Sequence, residues 1–212
     1  MKVTTIIFDL GRVLLDFDHR IAAARIGGLT HKSPEEVYDL FFDSKLTRWF
    51  EEGRIEPEAF YGKIKARLRL KMKYEQFVPI WNEIFFQTDC NRQVAAIARQ
   101  LSGKYTVCVL SNINILHLEY IKEKFPIFGS FRHVFASCEL GCVKPAPCIY
   151  IKTLKALGAK PAEVFYTDDR PELIEKARTM GMRAYVFTGV EQLRSDLARC
   201  GIETDTSVLS LP

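Results

Sequence analysis

Val3 to Leu15 reads VTTIIFDLGRVLL, and the fold turns on how its middle is understood. Ile6, Ile7 and Phe8 form a short apolar run of β-branched and aromatic side chains, the composition of a strand buried on both faces. The run stops at Asp9, followed by Leu10 and Gly11. A carboxylate at the carboxyl end of a buried parallel strand lies where open α/β sheets hold their ligands. Gly11 lets the backbone turn and approach a bound group closely. Two tasks suit such an Asp: attacking an electrophile, and holding a metal ion. An Asp at this place can also merely cap a loop, so the rest of the chain has to decide.

From residue 90 onward strands and helices alternate. The pattern predicts helices over 91–101, 115–124, 147–157, 171–179 and 190–199, with strands over 105–110, 133–137, 163–167 and 183–187. Such alternation implies right-handed crossovers and a parallel sheet covered on both faces. The first strand belongs to that sheet, so what lies between is an insertion. Residues 16–89 carry apolar side chains at helical spacing and few β-branched runs. Ser33-Pro34-Glu35-Glu36 is a capping box, and Glu56-Pro57-Glu58 opens a further helix over about 58–67. Phe77, Ile80, Trp81, Ile84 and Phe85 form a helical stripe within 74–86. The expected organisation is an α/β core of 1–15 and 90–212 with an all-helical insert of four or five helices at 16–89. Gly201 to Pro212 has no pattern that places it.

Composition narrows the function classes. The chain has 212 residues, 48% of them hydrophobic, which supports a substantial core. No apolar run approaches the roughly 20 residues that span a bilayer, and the N-terminus lacks a secretory pattern. The net charge of +4 suits small anions and is too weak to argue for nucleic acid. Lys63, Lys65, Arg67, Arg69, Lys71 and Lys73 alternate with apolar residues, which spreads the bases around a helix, and no aromatic interleaving accompanies them. They read as a solvated face ending in a turn near Leu70. Of the six cysteines, Cys138 and Cys142 make a C-x3-C with no second pair and no nearby His, so reduced structural thiols are expected in place of zinc. These features point to a cytoplasmic protein, a monomer or weak dimer, with no membrane or nucleic-acid partner.

Chemistry collects where the strands end. After 105–110 come Ser111 and Asn112, a hydroxyl and backbone N–H groups at a strand-to-helix turn, which make an anion cradle. After 133–137 comes Gly141-Cys142-Val143-Lys144-Pro145, with Lys144 held extended by the proline. After 163–167 come Asp168 and Asp169, adjacent acids whose repulsion a divalent cation relieves. Each residue has an ordinary use in caps and turns, yet consecutive strand ends carry Asp, Ser-Asn, Lys and Asp-Asp together.

This constellation resembles the haloacid dehalogenase-like hydrolase superfamily over nearly the whole chain. FDLGRVLLDFD, VLSNIN, GCVKPAPCIY and YTDDRPELIEKA are similar to its four motifs in order. The resemblance implies a Rossmannoid core with an inserted helical cap. FEEGRIEPEAFY, together with LGRVLLDFD, is similar to the branch of bacterial sugar-phosphate phosphatases such as α-glucose-1-phosphatase. Carried over, Asp9 would attack phosphorus and form an aspartyl-phosphate. Mg2+ would sit on Asp9, the Gly11 carbonyl oxygen and Asp169, with Asp168 in support. Ser111 and the Asn112 backbone would hold the phosphoryl oxygens, and Lys144 would offset charge on Asp9 and the phosphoryl group. The substrate implied is a small phosphorylated metabolite.

Two departures stand out. The common pattern is Asp-x-Asp, the second Asp moving the leaving group's proton; here that place is Gly11, so turnover is expected to depend on how readily the leaving group departs. The acid or Asn that the family often carries four residues after the last metal Asp, an outer support of the metal, is replaced by Leu173. A 2-haloacid dehalogenase, which attacks carbon without a metal, and an idle domain kept for binding therefore stay open. Asp168-Asp169 speaks against the first, and the intact Asp9, Ser111, Lys144 and Asp169 against the second. Arg20, Lys45, Arg48 and Trp49 are candidates for substrate selection by charge or bulk, and read more readily as cap surface or core.

Overall fold

The central strand of the sheet is the one quoted above. In the computed structural model, which describes residues 2–42 and 44–205, β1 (Thr5–Phe8) is followed by β2 (Asp16–Phe17). Then come α1 (His19–Gly27), α2 (Pro34–Phe42), α3 (Lys45–Glu51), α4 (Pro57–Leu68), α5 (Tyr74–Asn82) and β3 (Phe85–Phe86). The chain continues through α6 (Asp89–Leu101), β4 (Thr106–Ser111), α7 (Ile115–Lys124), β5 (His133–Ala136) and α8 (Ser137–Leu140). It ends with α9 (Pro147–Leu157), β6 (Val164–Asp168), α10 (Pro171–Thr179), β7 (Arg183–Val186) and α11 (Val190–Arg199).

β1, β4, β5, β6 and β7 form one parallel sheet in the order β5-β4-β1-β6-β7. The alternation of a pleated strand divides its side chains between two layers. Ile6 and Phe8 pack with α6, α7 and α11, while Ile7 joins Ile149, Tyr150 and Ile174 beneath α9 and α10. All three are essentially without solvent exposure, as expected for a strand covered on both faces. Helices α7, α9, α10 and α11 fall where periodicity predicts them. The strand expected over 133–137 gives up Ser137 to the first turn of α8.

Between β2 and β3 the regular elements are the five helices α1–α5, and they bury a core of their own. Phe50 stacks on Phe60 at 4.3 Å, and Phe77 stacks on Trp81 at 5.8 Å. The capping box forms as read: the Ser33 hydroxyl accepts from the Glu36 N–H at 3.2 Å, and the Glu36 carboxylate from the Ser33 N–H at 3.0 Å. Lys63, Lys65 and Arg67 are exposed on α4 while Ile64 and Leu68 are buried, and the helix stops at Arg69 in the left-handed conformation. One expectation is corrected. The helix predicted over 74–86 ends at Asn82, and Phe85–Phe86 pairs antiparallel with Asp16–Phe17. This short ribbon brings the two ends of the insert together, and an Asp18 N–H bond to the Ile84 carbonyl extends it.

The six cysteines are free thiols. No helix of the described residues is long and apolar enough to cross a membrane. Of the unplaced C-terminal stretch, residues 206–212 lie outside the described residues.

Candidate active site

Asp9 stands one residue past β1, its N–H still bonded to the Thr167 carbonyl at 2.9 Å. Ser111 ends β4 and Asp168 ends β6, the strands flanking β1. The three side chains therefore emerge from adjacent central strands at their carboxyl ends, the position open α/β sheets reserve for ligands. Lys144 arrives from the loop after α8. It is buried, and its Nζ donates to Asp9 Oδ1 at 2.7 Å, to Asp168 Oδ2 at 2.6 Å and to the Leu110 carbonyl at 3.0 Å. All three ammonium hydrogens are thus used.

The two adjacent acids turn out to do different things. Asp168 has no solvent exposure, and its Oδ2 takes Lys144 together with the Tyr166 hydroxyl. Its Oδ1 accepts the Arg170 N–H at 3.0 Å. Asp169 is half-buried and faces the cleft. One carboxylate oxygen from each of Asp9, Asp168 and Asp169 lies within 4.8 Å of the others. Burial pushes the Asp9 carboxyl up to about 7, with Lys144 pulling down and Asp168 and Asp169 pushing further up. Asp169 is raised too, by burial and then by Asp168. Burial works against the Lys144 ammonium, yet its two carboxylate partners outweigh that and its pKa is raised.

The anion loop and the lysine loop are tied together by one side chain. Asn112 Oδ1 accepts the Lys144 N–H at 2.7 Å, and its Nδ2 donates to the Lys144 carbonyl at 2.9 Å. The Asn112 side chain is thus committed to the lysine loop. Further along, Asn114 caps α7, its Oδ1 accepting the His117 N–H at 3.0 Å.

Asp9, Ser111, Asn112, Lys144 and Asp169 line a cleft of about 310 Å³, to which the insert contributes Phe17, His19, Glu51 and Phe85. Arg20, Lys45, Arg48 and Trp49, the candidates by charge or bulk, do not line it, in keeping with their reading as cap surface or core. Lys45 instead lies over the Trp49 ring at 4.7 Å, in a neighbouring groove with Arg48. Gly11 is at the cleft edge, and the left-handed residue of this turn is its neighbour Arg12, with φ 61°. Leu173 is a buried residue of α10 and also touches the cleft.

Several cleft residues escape a reading by motif. Buried His117 sits between Asn114 Nδ2 and the Trp81 carbonyl, both at 3.0 Å. The carbonyl only accepts, so Nε2 carries the hydrogen and Nδ1 accepts from the amide. Burial, then His19, holds its pKa down at about 3. His19 is likewise held at about 4, by burial and then by Arg12. The Glu51 carboxyl is raised to about 7, chiefly by burial and against the pull of Arg170. Nothing in local periodicity distinguishes these residues. The Glu51-Glu52-Gly53 turn between two helices was the available hint for Glu51.

Fold and cleft together define an α/β enzyme whose chemistry gathers at a strand-end carboxylate. The chain belongs to the haloacid dehalogenase-like hydrolases, whose family model matches residues 3–181. D-ribitol-5-phosphate phosphatase of Bacteroides thetaiotaomicron is 23% identical over 189 residues, covering 86% of this chain and 91% of that protein. Bifunctional epoxide hydrolase 2 of Mus musculus is 28% identical over 199 residues and 79% of this chain, which spans 34% of that protein's length. Among solved structures, a haloacid dehalogenase-family enzyme of Bacteroides thetaiotaomicron in complex with magnesium and inorganic phosphate superposes with a TM-score of 0.78. It is 23% identical and covers 87% of this chain and 93% of its own, a likeness of fold.

Proposed function

We propose that this hydrolase cleaves a small phosphomonoester, a sugar phosphate being the class its branch resemblance favours, through an aspartyl-phosphate on Asp9. The observation that carries the reading is the Asp9–Lys144–Asp168 chain of bonds beside Asp169 and Ser111, opening into one small cleft. Asp9 attacks phosphorus as the ester P–O bond breaks. Lys144 offsets the charge that builds on the nucleophile and the phosphoryl oxygens, in a buried place where such help is strongest. The Ser111 hydroxyl and the Asn112 backbone N–H hold those oxygens at the strand-to-helix turn, while Asp168 fixes the lysine. Residues 16–89 act as the cap over a core of 1–15 and 90–212.

The donor set fits Mg2+: three carboxylates within reach of one another offer hard oxygen ligands, and lysine alone leaves their charge unbalanced. Asp9, the Gly11 carbonyl oxygen and Asp169 would hold the ion directly, and Asp168, its oxygens already committed, would act through water. When bound, Mg2+ supplies positive charge to the acids and the phosphoryl oxygens.

The test is a screen of phosphorylated metabolites for phosphate release in Mg2+, with an Asp9→Asn variant and an EDTA arm. Release that needs both Mg2+ and Asp9 is expected. Halide release from a 2-haloacid in EDTA would move the reading to a dehalogenase, and silence on every substrate would favour a binding role. The two neighbouring carboxylates support the phosphate reading over the dehalogenase, because a haloacid's own carboxylate would meet them without an offsetting cation.

A further inference from the structure

Position 11, where the family pattern places the proton-moving acid, is closed to one here. A Cβ added to Gly11 would stand 2.7 Å from Phe17 Cε1, so the ring fills the room a side chain would use. Another group must protonate a poor leaving group. His117 has both ring nitrogens engaged. His19, held at about 4, carries no proton to give near neutrality. Arg12 and Arg170 do not release theirs, and Lys144 is spent on Asp9, Asp168 and the Leu110 carbonyl.

Glu51 is left, and the structure anchors it. It ends α3 and lines the same cleft as Asp9, Ser111 and Lys144. The wholly buried Ser137 hydroxyl donates to the Glu51 carbonyl at 2.7 Å and accepts the Ile113 N–H at 2.9 Å. One hydroxyl thus joins this insert residue to the loop that begins at Ser111. Two residues on, Gly53 has φ 64°, and a Cβ there would meet the Cys138 carbonyl oxygen at 2.2 Å. The turn 51–53 is therefore seated directly on the backbone of α8. Its carboxyl, raised to about 7 mainly by burial, is one that both gives and takes a proton near neutral pH.

We propose that Glu51 is the catalytic acid and base of this enzyme, delivered from the insert in place of the acid missing at position 11; the proposal rests on the phosphomonoester reading above. In the first step a bond forms from an Asp9 oxygen to phosphorus, the bond from phosphorus to the ester oxygen breaks, and protonated Glu51 gives its proton to the departing alkoxide. In the second, water attacks phosphorus, the Asp9–phosphorus bond breaks, the ionised Glu51 takes the water's proton, and phosphate leaves. In-line displacement sends the leaving oxygen away from Asp9, and Glu51 is the carboxyl that the insert brings to the same cleft.

The experiment compares Glu51→Gln with the unmodified enzyme in Mg2+ on p-nitrophenyl phosphate and on a sugar 6-phosphate, by stopped flow and steady-state assay. The unmodified enzyme should turn over both esters. In E51Q the sugar phosphate should slow by about 10²–10⁴-fold. The aryl ester, whose leaving group needs no proton, should still give a burst of one nitrophenolate per site before a slow steady state. Equal loss on both esters without a burst, a change under about 3-fold on both, or an unmodified enzyme active on the aryl ester alone would each overturn the proposal. Should E51Q not fold, Glu51→Asp keeps a carboxyl. With it the aryl ester should keep the burst while the steady state slows on both esters, and loss of the burst would count against the role. Failure of the unmodified enzyme on both esters removes the phosphomonoester reading itself, and this proposal with it.

Discussion

Replacing Lys144 by methionine tests the electrostatic centre of the site through stability alone. The lysine side chain is 2% exposed and holds two carboxylates and a carbonyl. Breaking one side of a buried ion pair typically costs about 3–5 kcal/mol, most of it for the charge left unpaired. Asp9 opens on the cleft, 10% of its side chain exposed, and regains some water; Asp168 has none. The penalty therefore concentrates on Asp168, and a total of about 3–5 kcal/mol at pH 8 is expected. Without the ammonium the Asp9 carboxyl loses the partner that pulls it down and rises further above its unfolded value, so the variant's stability is fuller in acid and lost as pH climbs. The deficit against the unmodified protein should shrink on going from pH 8 to pH 5.5, by up to about 1.4 kcal/mol per pH unit as Asp9 titrates. Urea unfolding followed by circular dichroism at the two pH values gives the comparison. A deficit below about 1 kcal/mol at pH 8, or one that grows in acid, would refute the reasoning.

Asp169→Asn should weaken Mg2+ binding more than Asp168→Asn, since Asp168 already holds Lys144, Tyr166 and the Arg170 N–H; isothermal titration of both variants decides, and equal losses would show the ranking to be wrong. Gly11→Ala should cost about 1–3 kcal/mol by overpacking against Phe17, and most of that cost should vanish when Phe17→Ala is the parent; a cost that persists would place the strain elsewhere. His117, held neutral near pH 3, refuses a proton that the unfolded chain accepts below about 6.5, so it removes stability as pH falls. A His117→Gln variant lacks that slope, and its stability deficit should narrow between pH 6 and pH 4 by up to about 1.4 kcal/mol per unit; chemical unfolding at several pH values would expose a constant deficit.

The core was legible because its signals are local. Ile6–Phe8 reads as a doubly covered strand from its β-branched and aromatic run, and helix α7 begins where Asn114 can cap it. Asp9, Ser111, Lys144 and Asp169, which line one cleft, could be singled out because they follow successive strands together, although each type alone is ordinary there. The division of labour between Asp168 and Asp169 was not legible, since it follows from which carboxylate points inward to Tyr166 and Lys144. The β2–β3 ribbon also escaped. Two residues per strand are too few to show alternation, and Phe85 continues the apolar spacing of α5. Glu51 could not be told from Glu52 beside it. Glu52 spends its charge on Arg48 and Arg54, while Glu51 turns to the cleft. That difference lies in how α3 ends against α8, which no run of residues reports.

The Asn112 side chain exchanges a donor and an acceptor with the Lys144 backbone, as one residue does with another in a sheet ladder. Position 112 thereby answers to a demand on sequence drift that has nothing to do with substrate. Only asparagine and glutamine bring a donor and an acceptor on one planar amide, and glutamine is a methylene too long for the spacing. Aspartate, the nearest in shape, would set a carboxylate oxygen against the Lys144 carbonyl. Lineages of this chain that exchange substrates can vary the insert around Glu51, yet a change at residue 112 would unhitch the lysine whatever the substrate had become.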